Sequence, residues 1–322
     1  MPPHAWGGGP RSGPEGLPPL SIVEPAPPRH LSFLIVAETY FEMLRASARA
    51  RDSVLCVGLD PEPDRILGGA AGAARFCLDV IRRTADYAAA YKPNSAFWEQ
   101  YGPDGWKALL EVRQGAPAGI PFLFDGKRAD VGHTSAAYAR AALEALGMDA
   151  MTVHAYHGAD SLAEFTAHVD KGVYVVCRTS NPGAADLQHL EAGGRPLYLQ
   201  VAALAQRVNA AGNVGLVAGT TAPEQVAELR AASPLPFLLP GIGAQGGDLE
   251  ASLRAAWNGD PAACLVNASR SVLYAADPGA EARVLRDRMR SVLAAGSPSQ
   301  PPPRSYTPPT TSAGTPLRRP DR

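Results

Sequence analysis

The feature that most constrains this chain is an alternation. Eight short apolar runs recur along it: Val54–Leu59, Ala88–Lys92, Pro121–Phe124, Ala150–Val153, Val173–Cys177, Val214–Val217, Pro236–Leu239 and Cys264–Val266. Helix-patterned stretches separate most of them, among them Ser135–Leu146, Leu197–Ala210, Ala222–Ala232 and Glu250–Asn258. The runs lack clean apolar–polar alternation, so both faces of each strand should be buried. Strands of that kind joined by helices belong to a parallel sheet. Eight such units predict an α/β protein, a closed (β/α)8 TIM barrel, better than an open sheet. The competing doubly wound sheet loses support because no GxGxxG follows the first strand. A helix over Phe41–Arg51, ahead of the first strand, would cap the barrel floor.

The ends differ in composition from this block. Residues 1–30 and 297–322 are dominated by Pro and Gly or by Pro, Ser and Thr, and cannot bury enough apolar surface to offset chain entropy. The expected organisation is a disordered N-terminal tail over 1–30, one barrel domain over 31–296 and a disordered C-terminal tail over 297–322. The block is close to the size of about 250 residues usual for this barrel. With 46% hydrophobic and 19% charged residues the chain is of globular type. A net charge of −1 gives no broad pull on nucleic acid or an anionic membrane, so any anion recognition must be local. No apolar run approaches the ~18 residues of a membrane span. Leu31–Ala37 (LSFLIVA) is too short, runs into Glu38 and lacks the flanks of a secretory signal. None of the four cysteines sits in a CxxC pair, and Cys56, Cys177 and Cys264 lie in apolar runs, so buried free thiols in a reducing cytoplasm are expected.

The polar residues are placed with a pattern. Strand after strand ends in a polar or Gly-rich tag: Gly58-Leu59-Asp60-Pro61, Lys92-Pro93-Asn94, Asp125-Gly126-Lys127, His154, Arg178-Thr179-Ser180-Asn181, Gly219-Thr220-Thr221, Pro240-Gly241-Ile242-Gly243 and Asn267-Ala268-Ser269-Arg270. In a (β/α)8 barrel these ends meet on one face, where active sites lie. Asp125 and Lys127 are two apart at a strand end and should point the same way. Asp130 follows where the chain turns toward a helix, and Lys92 would neighbour the group. An alternating Lys92–Asp125–Lys127–Asp130 network is expected, with Lys127 held cationic between carboxylates and able to donate a proton. The alternative is a structural ion-pair cluster plugging the barrel mouth.

Two late loops look suited to phosphate. Gly241, Gly243, Gly246 and Gly247 around Gln245 can expose successive backbone N–H groups, and Arg270 follows the eighth strand, beside the usual phosphate site of this fold. Arginine grips phosphate through two parallel hydrogen bonds. Taken alone, the glycines also fit tight turns and the arginine a surface pair. Ser180 could bond a heterocycle edge or simply form a local turn. His133, His154 and His157 lie near the mouth with no familiar metal spacing.

Asp125-x-Lys127-x-x-Asp130-x-x-x-Thr134 resembles the signature of the orotidine 5′-phosphate decarboxylase family. Further blocks fall in that family's order: Leu55-Cys56-Val57-Gly58-Leu59-Asp60-Pro61, Tyr91-Lys92-Pro93-Asn94, Arg178-Thr179-Ser180-Asn181-Pro182-Gly183, the Pro240–Gly247 loop and Ser269-Arg270-Ser271. The wording is closest to the longer bacterial branch, and it covers residues 32–295. The resemblance implies that Asp60 binds a ribose hydroxyl, that Lys92 holds the network and contacts the ribose, and that Asp125 sits against the substrate carboxylate. It implies that Lys127 protonates C6 of the pyrimidine, that Ser180 contacts the ring, and that Gln245 and Arg270, with Gly243 in the same loop, bind the phosphate. Asp130 and Thr134 would reach into the neighbouring subunit's site, making a homodimer with shared sites. After the fourth strand this sequence reads Val153-His154-Ala155-Tyr156 where the family leads one to expect Asn-Pro-Tyr after the Val, so no role is assigned to that loop.

The implied reaction is decarboxylation of orotidine 5′-monophosphate to UMP, the last step of pyrimidine nucleotide synthesis, with no metal and no organic cofactor. Two rivals are kept. One is a Mg²⁺-dependent sugar-phosphate decarboxylase or aldolase of the same barrel family, which would need an acidic residue where Lys92 stands. The other is a non-catalytic nucleotide-phosphate binder, which would not need the charge network.

Overall fold

The computed structural model describes residues 38–240 and 248–295. All eight expected strands form: β1 (Leu55–Gly58), β2 (Ala90–Lys92), β3 (Leu123–Arg128), β4 (Ala150–His154), β5 (Gly172–Arg178), β6 (Val214–Ala218), β7 (Phe237–Leu239) and β8 (Cys264–Ala268). They pair in parallel in the order β2-β1-β8-β7-β6-β5-β4-β3. The two ends of that order meet through bridges Tyr91↔Phe122 and Asn94↔Asp125. Tyr91 N–H donates to Pro121 O at 3.0 Å and Asp125 N–H to Pro93 O at 2.9 Å, which closes the barrel. The expected tails over 1–30 and 297–322, and Gly243 and Gln245 of the expected phosphate loop, lie outside the described residues.

Two buried layers follow from the two strand faces. One cluster takes a side chain from every strand: Cys56, Ala90, Leu123, Ala150, Val176, Val217, Leu238 and Leu265. These fill the barrel interior, and Tyr40, Phe41 and Leu44 of the helix Tyr40–Arg51 close it from below. The Tyr40 and Tyr174 rings meet edge to face at 5.9 Å, and Gly172 leaves room for Tyr40, since a Cβ there would stand 2.2 Å from its ring. Arg45 fixes this floor helix by two bonds to the Asp260 carboxylate, at 2.9 and 2.8 Å. The outward faces, such as Leu55, Val57, Met151 and Val153, join a larger cluster with the surrounding helices.

Strand side chains alternate between faces. Two residues beyond the interior cluster, the inward positions are therefore Gly58, Lys92, Asp125, Thr152 and Asn267. The top of the barrel interior is polar where the layer beneath is apolar.

The structure differs from the sequence reading in two places. The helix expected over Ser135–Leu146 begins earlier, at Gly132, and from Arg140 to Ala145 it widens into a π-helix. The long loop after β5 carries an unforeseen hairpin, Glu191–Ala192 against Arg195–Pro196. Its turn is Gly193-Gly194, with φ of 63° and 74°, a left-handed pair that glycine adopts without strain.

Candidate active site

Asp125 is the centre of the polar layer. Its Oδ2 accepts from Lys92 Nζ at 2.7 Å and from Asn94 Nδ2 at 3.2 Å. Its Oδ1 accepts from Lys127 Nζ at 2.6 Å and from the Thr152 hydroxyl at 2.9 Å. Burial alone would raise the Asp125 carboxyl, but Lys92 and Lys127 outweigh it and hold the group well below the usual carboxylate range. Burial would likewise depress Lys92, yet Asp125 and Asp60 prevail and raise it above the ordinary lysine value. One anion thus sits between two fixed cations.

Lys127 reaches Asp125 by an irregular route. Between the pairs Phe124↔Met151 and Arg128↔Val153 the register shifts, so Asp125, Gly126 and Lys127 together oppose the single residue Thr152. Lys127 takes φ of 46°, a left-handed conformation costly for a side-chain-bearing residue, and its N–H donates to Thr152 Oγ1 at 2.9 Å. Gly126 permits the bulge, because a Cβ there would lie 2.3 Å from the Phe124 ring. Strand alternation predicted that Asp125 and Lys127 meet, but a bulge achieves it.

Asp60 is buried, and its Oδ1 accepts from Asn94 N–H at 3.0 Å, so Asn94 ties Asp60 to Asp125. Asp130 stands apart from the expected fourfold network within this chain. Ser135 holds its backbone, and its Oδ1 accepts from Val131 N–H at 2.7 Å. Among the described residues it forms no ion pair with Lys127; Asp60 is the second carboxylate acting on Lys92. Thr134 lies in the first turn of the helix Gly132–Ala139, beside Asp130. Ser180 follows β5 against Gly219, where a Cβ would approach Ser180 N to 2.7 Å. Arg270 begins the helical turn Arg270–Leu273 after β8; it is exposed and forms no ion pair among the described residues.

Thr152 and Asn94 have no site role in the sequence reading. Asn94 could have been found from its place in the strand-end tag Lys92-Pro93-Asn94. Thr152 had no such signal, because its role comes from the bulge on a neighbouring strand. His154, at the end of β4, reaches solvent, yet desolvation and then the nearby Lys127 lower its ring below the ordinary histidine value. All four cysteines are free and buried; burial pushes Cys56 and Cys264 up to about 12.

A cavity of about 550 Å³ opens at the other end of the barrel, lined by Met43, Leu110, Arg113, Ile120, Leu146 and Asp149. Two of its charges pair with each other: Arg113 Nη2 donates to Asp149 at 3.2 Å, and Arg113 Nε donates to Gly147 O at 2.8 Å, while the exposed Glu144 faces His168. The chemistry-bearing groups are at the C-terminal face.

Comparison with known proteins agrees with this geometry. The model of the orotidine 5′-phosphate decarboxylase / HUMPS family matches residues 53–285. The chain belongs to this family. It is 47% identical over 271 residues to the orotidine 5′-phosphate decarboxylase of Roseiflexus castenholzii, covering 80% of this chain and 99% of that one. The structure of Leishmania donovani OMP decarboxylase matches with a TM-score of 0.73 at 45% identity, over 79% of this chain and 98% of that one. That of Leishmania donovani UMP synthase matches with a TM-score of 0.75 at 47% identity, over 79% of this chain but 56% of the longer partner. In this orotidine 5′-phosphate decarboxylase / HUMPS family member, the fold expected from eight runs and the family expected from linked motifs are both present. No helix among the described residues is long and apolar enough to cross a membrane.

Proposed function

We propose that this chain decarboxylates orotidine 5′-monophosphate to UMP and CO₂ in the cytoplasm, with Lys127 delivering the proton to C6. The observation that carries the reading is the Lys92–Asp125–Lys127 array at the mouth of a barrel whose family is established. Loss of CO₂ leaves an electron pair on C6 that the ring stabilises poorly. A fixed ammonium aimed at that carbon stabilises the developing charge without reorganising, and then supplies the proton. Asp125 bonds Lys127 through Oδ1, which sets the ammonium's position.

Asp125 would also stand against the substrate carboxylate. Two such anions ~4 Å apart at an effective dielectric near 20 repel by about 4 kcal/mol, relieved as CO₂ leaves. Enzymes supply ~8–23 kcal/mol in all, so remote binding must contribute the larger share. Arg270 is the cation that would grip the phosphate, with Gln245 and Gly243 of the preceding loop. Asp60 and Lys92 would hold the ribose, and Ser180 the pyrimidine edge.

Asp130 and Thr134 are proposed to complete the site of a second copy in a homodimer. Supporting this, Asp130 has no cation partner among the described residues of its own chain, and the neighbouring Val131 and Tyr138 expose apolar surface. The Mg²⁺-dependent alternative is disfavoured by Lys92, whose ammonium already occupies the Asp125 oxygen that a cation would need.

The test is an absorbance assay for loss of orotidine 5′-monophosphate by the purified chain with a chelator present. UMP should form at an undiminished rate, and Lys127→Ala should abolish turnover while UMP binding survives. Chelator-sensitive turnover of a sugar phosphate, or near-normal activity of Lys127→Ala, would overturn the reading.

A further inference from the structure

Asn267 lies on the inner face of β8, two residues beyond Leu265, in the layer of Lys92, Asp125 and Thr152. It is only 7% exposed. Its Nδ2 donates to Ser269 Oγ at 3.2 Å, while its Oδ1 is buried without a hydrogen-bond partner. Buried carbonyl oxygens left unpaired are rare in native proteins and need a reason. The surroundings supply one. A Cβ on Gly58 would stand 1.9 Å from Ser269 Oγ and 3.1 Å from Asp60 Oδ2, so a bare glycine lets the Ser269 hydroxyl and the Asp60 carboxylate share one notch. Asn267 is bonded to the Ser269 side of that notch.

We propose that Asn267 is a ribose-recognising residue whose amide oxygen accepts a hydrogen bond from a hydroxyl of the bound nucleotide. This rests on the nucleotide reading above. The ligand's chemistry narrows the donor. A phosphate monoester near neutral pH presents mainly acceptors. The pyrimidine N–H is assigned to the Ser180 side, at β5, three strands from β8 in the barrel order. The sugar hydroxyls remain, and Asp60, beside Ser269, is the residue proposed to hold them. The bond from Nδ2 to Ser269 fixes the amide's orientation and leaves its oxygen as the free end.

The test measures inhibition of the full-length enzyme by UMP, 2′-deoxy-UMP and 3′-deoxy-UMP, in wild type, Asn267→Ala and the volume-keeping Asn267→Leu. UMP should bind about tenfold more weakly to both variants, equivalent to about 1.4 kcal/mol. The analogue lacking the bonded hydroxyl should bind wild type and variants alike, because the two deletions remove one interaction. Equal losses for all three ligands, or no loss for UMP, overturn the inference. A wild-type protein that neither turns over orotidine 5′-monophosphate nor binds UMP would instead overturn the proposed function.

Discussion

The Thr152 hydroxyl donates to Asp125 Oδ1 and accepts from Lys127 N–H, both at 2.9 Å. One side chain of β4 therefore fixes the carboxylate and the backbone of the residue that carries the ammonium. Thr152→Val keeps the shape and removes both bonds. It should lower kcat at least about tenfold with a much smaller change in KM, since positioning errors fall on the transition state. Thr152→Ser restores the hydroxyl and should recover most of the rate. Steady-state kinetics on the two variants check this, and equal loss in both would show that packing rather than the hydroxyl matters.

Gly126 gives a second prediction. Its Cβ would enter the Phe124 ring at 2.3 Å, and that ring is buried. Gly126→Ala must displace the ring or the bulge. A destabilisation of about 1–3 kcal/mol is expected, as for overpacking elsewhere. Urea unfolding measures it. Activity should fall by more than stability predicts, because Lys127 is the next residue.

The charge array predicts a pH window for stability. Asp125 has a folded pKa below its ordinary 3.8, so its contribution is present above that value and is lost as pH falls through the lower folded one. Lys92 has a folded pKa above its ordinary 10.5, so its contribution is present below 10.5 and is lost as pH rises through the higher folded one. Between these limits the pair contributes a constant amount. Asp125→Asn leaves two ammoniums facing a neutral amide, and a loss of about 3–5 kcal/mol is expected. Urea midpoints of wild type and Asp125→Asn should differ by a constant amount from about pH 5 to 10 and draw steadily together as pH falls from about 4 toward the lower folded value. A gap that stayed constant down to pH 2 would contradict the assignment.

The sequence made the barrel legible because the strand runs and the polar tags repeat with a fixed logic. Each tag follows an apolar run, and parallel strands bring all the tags to one face. Asp125, Lys92 and Lys127 could be read because a strand end is a local property. Thr152 could not, since its role depends on three residues of β3 opposing one of β4. The hairpin at Gly193-Gly194 is absent from the sequence reading because its arms are two residues each, too short for an alternation signal. Spacing alone places Asp130 with Lys127. Within one chain the Ser135 hydroxyl donates to the Asp130 carbonyl, and the Asp130 carboxylate accepts from the Val131 N–H rather than from Lys127.

That displacement of Asp130 leads to the sharpest test of a shared site. If Asp130 serves the partner's Lys127, then Lys127→Ala and Asp130→Ala homodimers are each impaired at both sites. In a mixed dimer one site receives both lesions and the other receives neither. Random exchange makes half the dimers mixed, so about a quarter of all sites should become intact. Mixing the two purified variants under conditions that allow subunit exchange should therefore restore activity to about a quarter of wild type. If Asp130 acted only within its own chain, each subunit would keep its own lesion and mixing would restore nothing. The assay thus separates a shared site from a self-contained one without any knowledge of the interface.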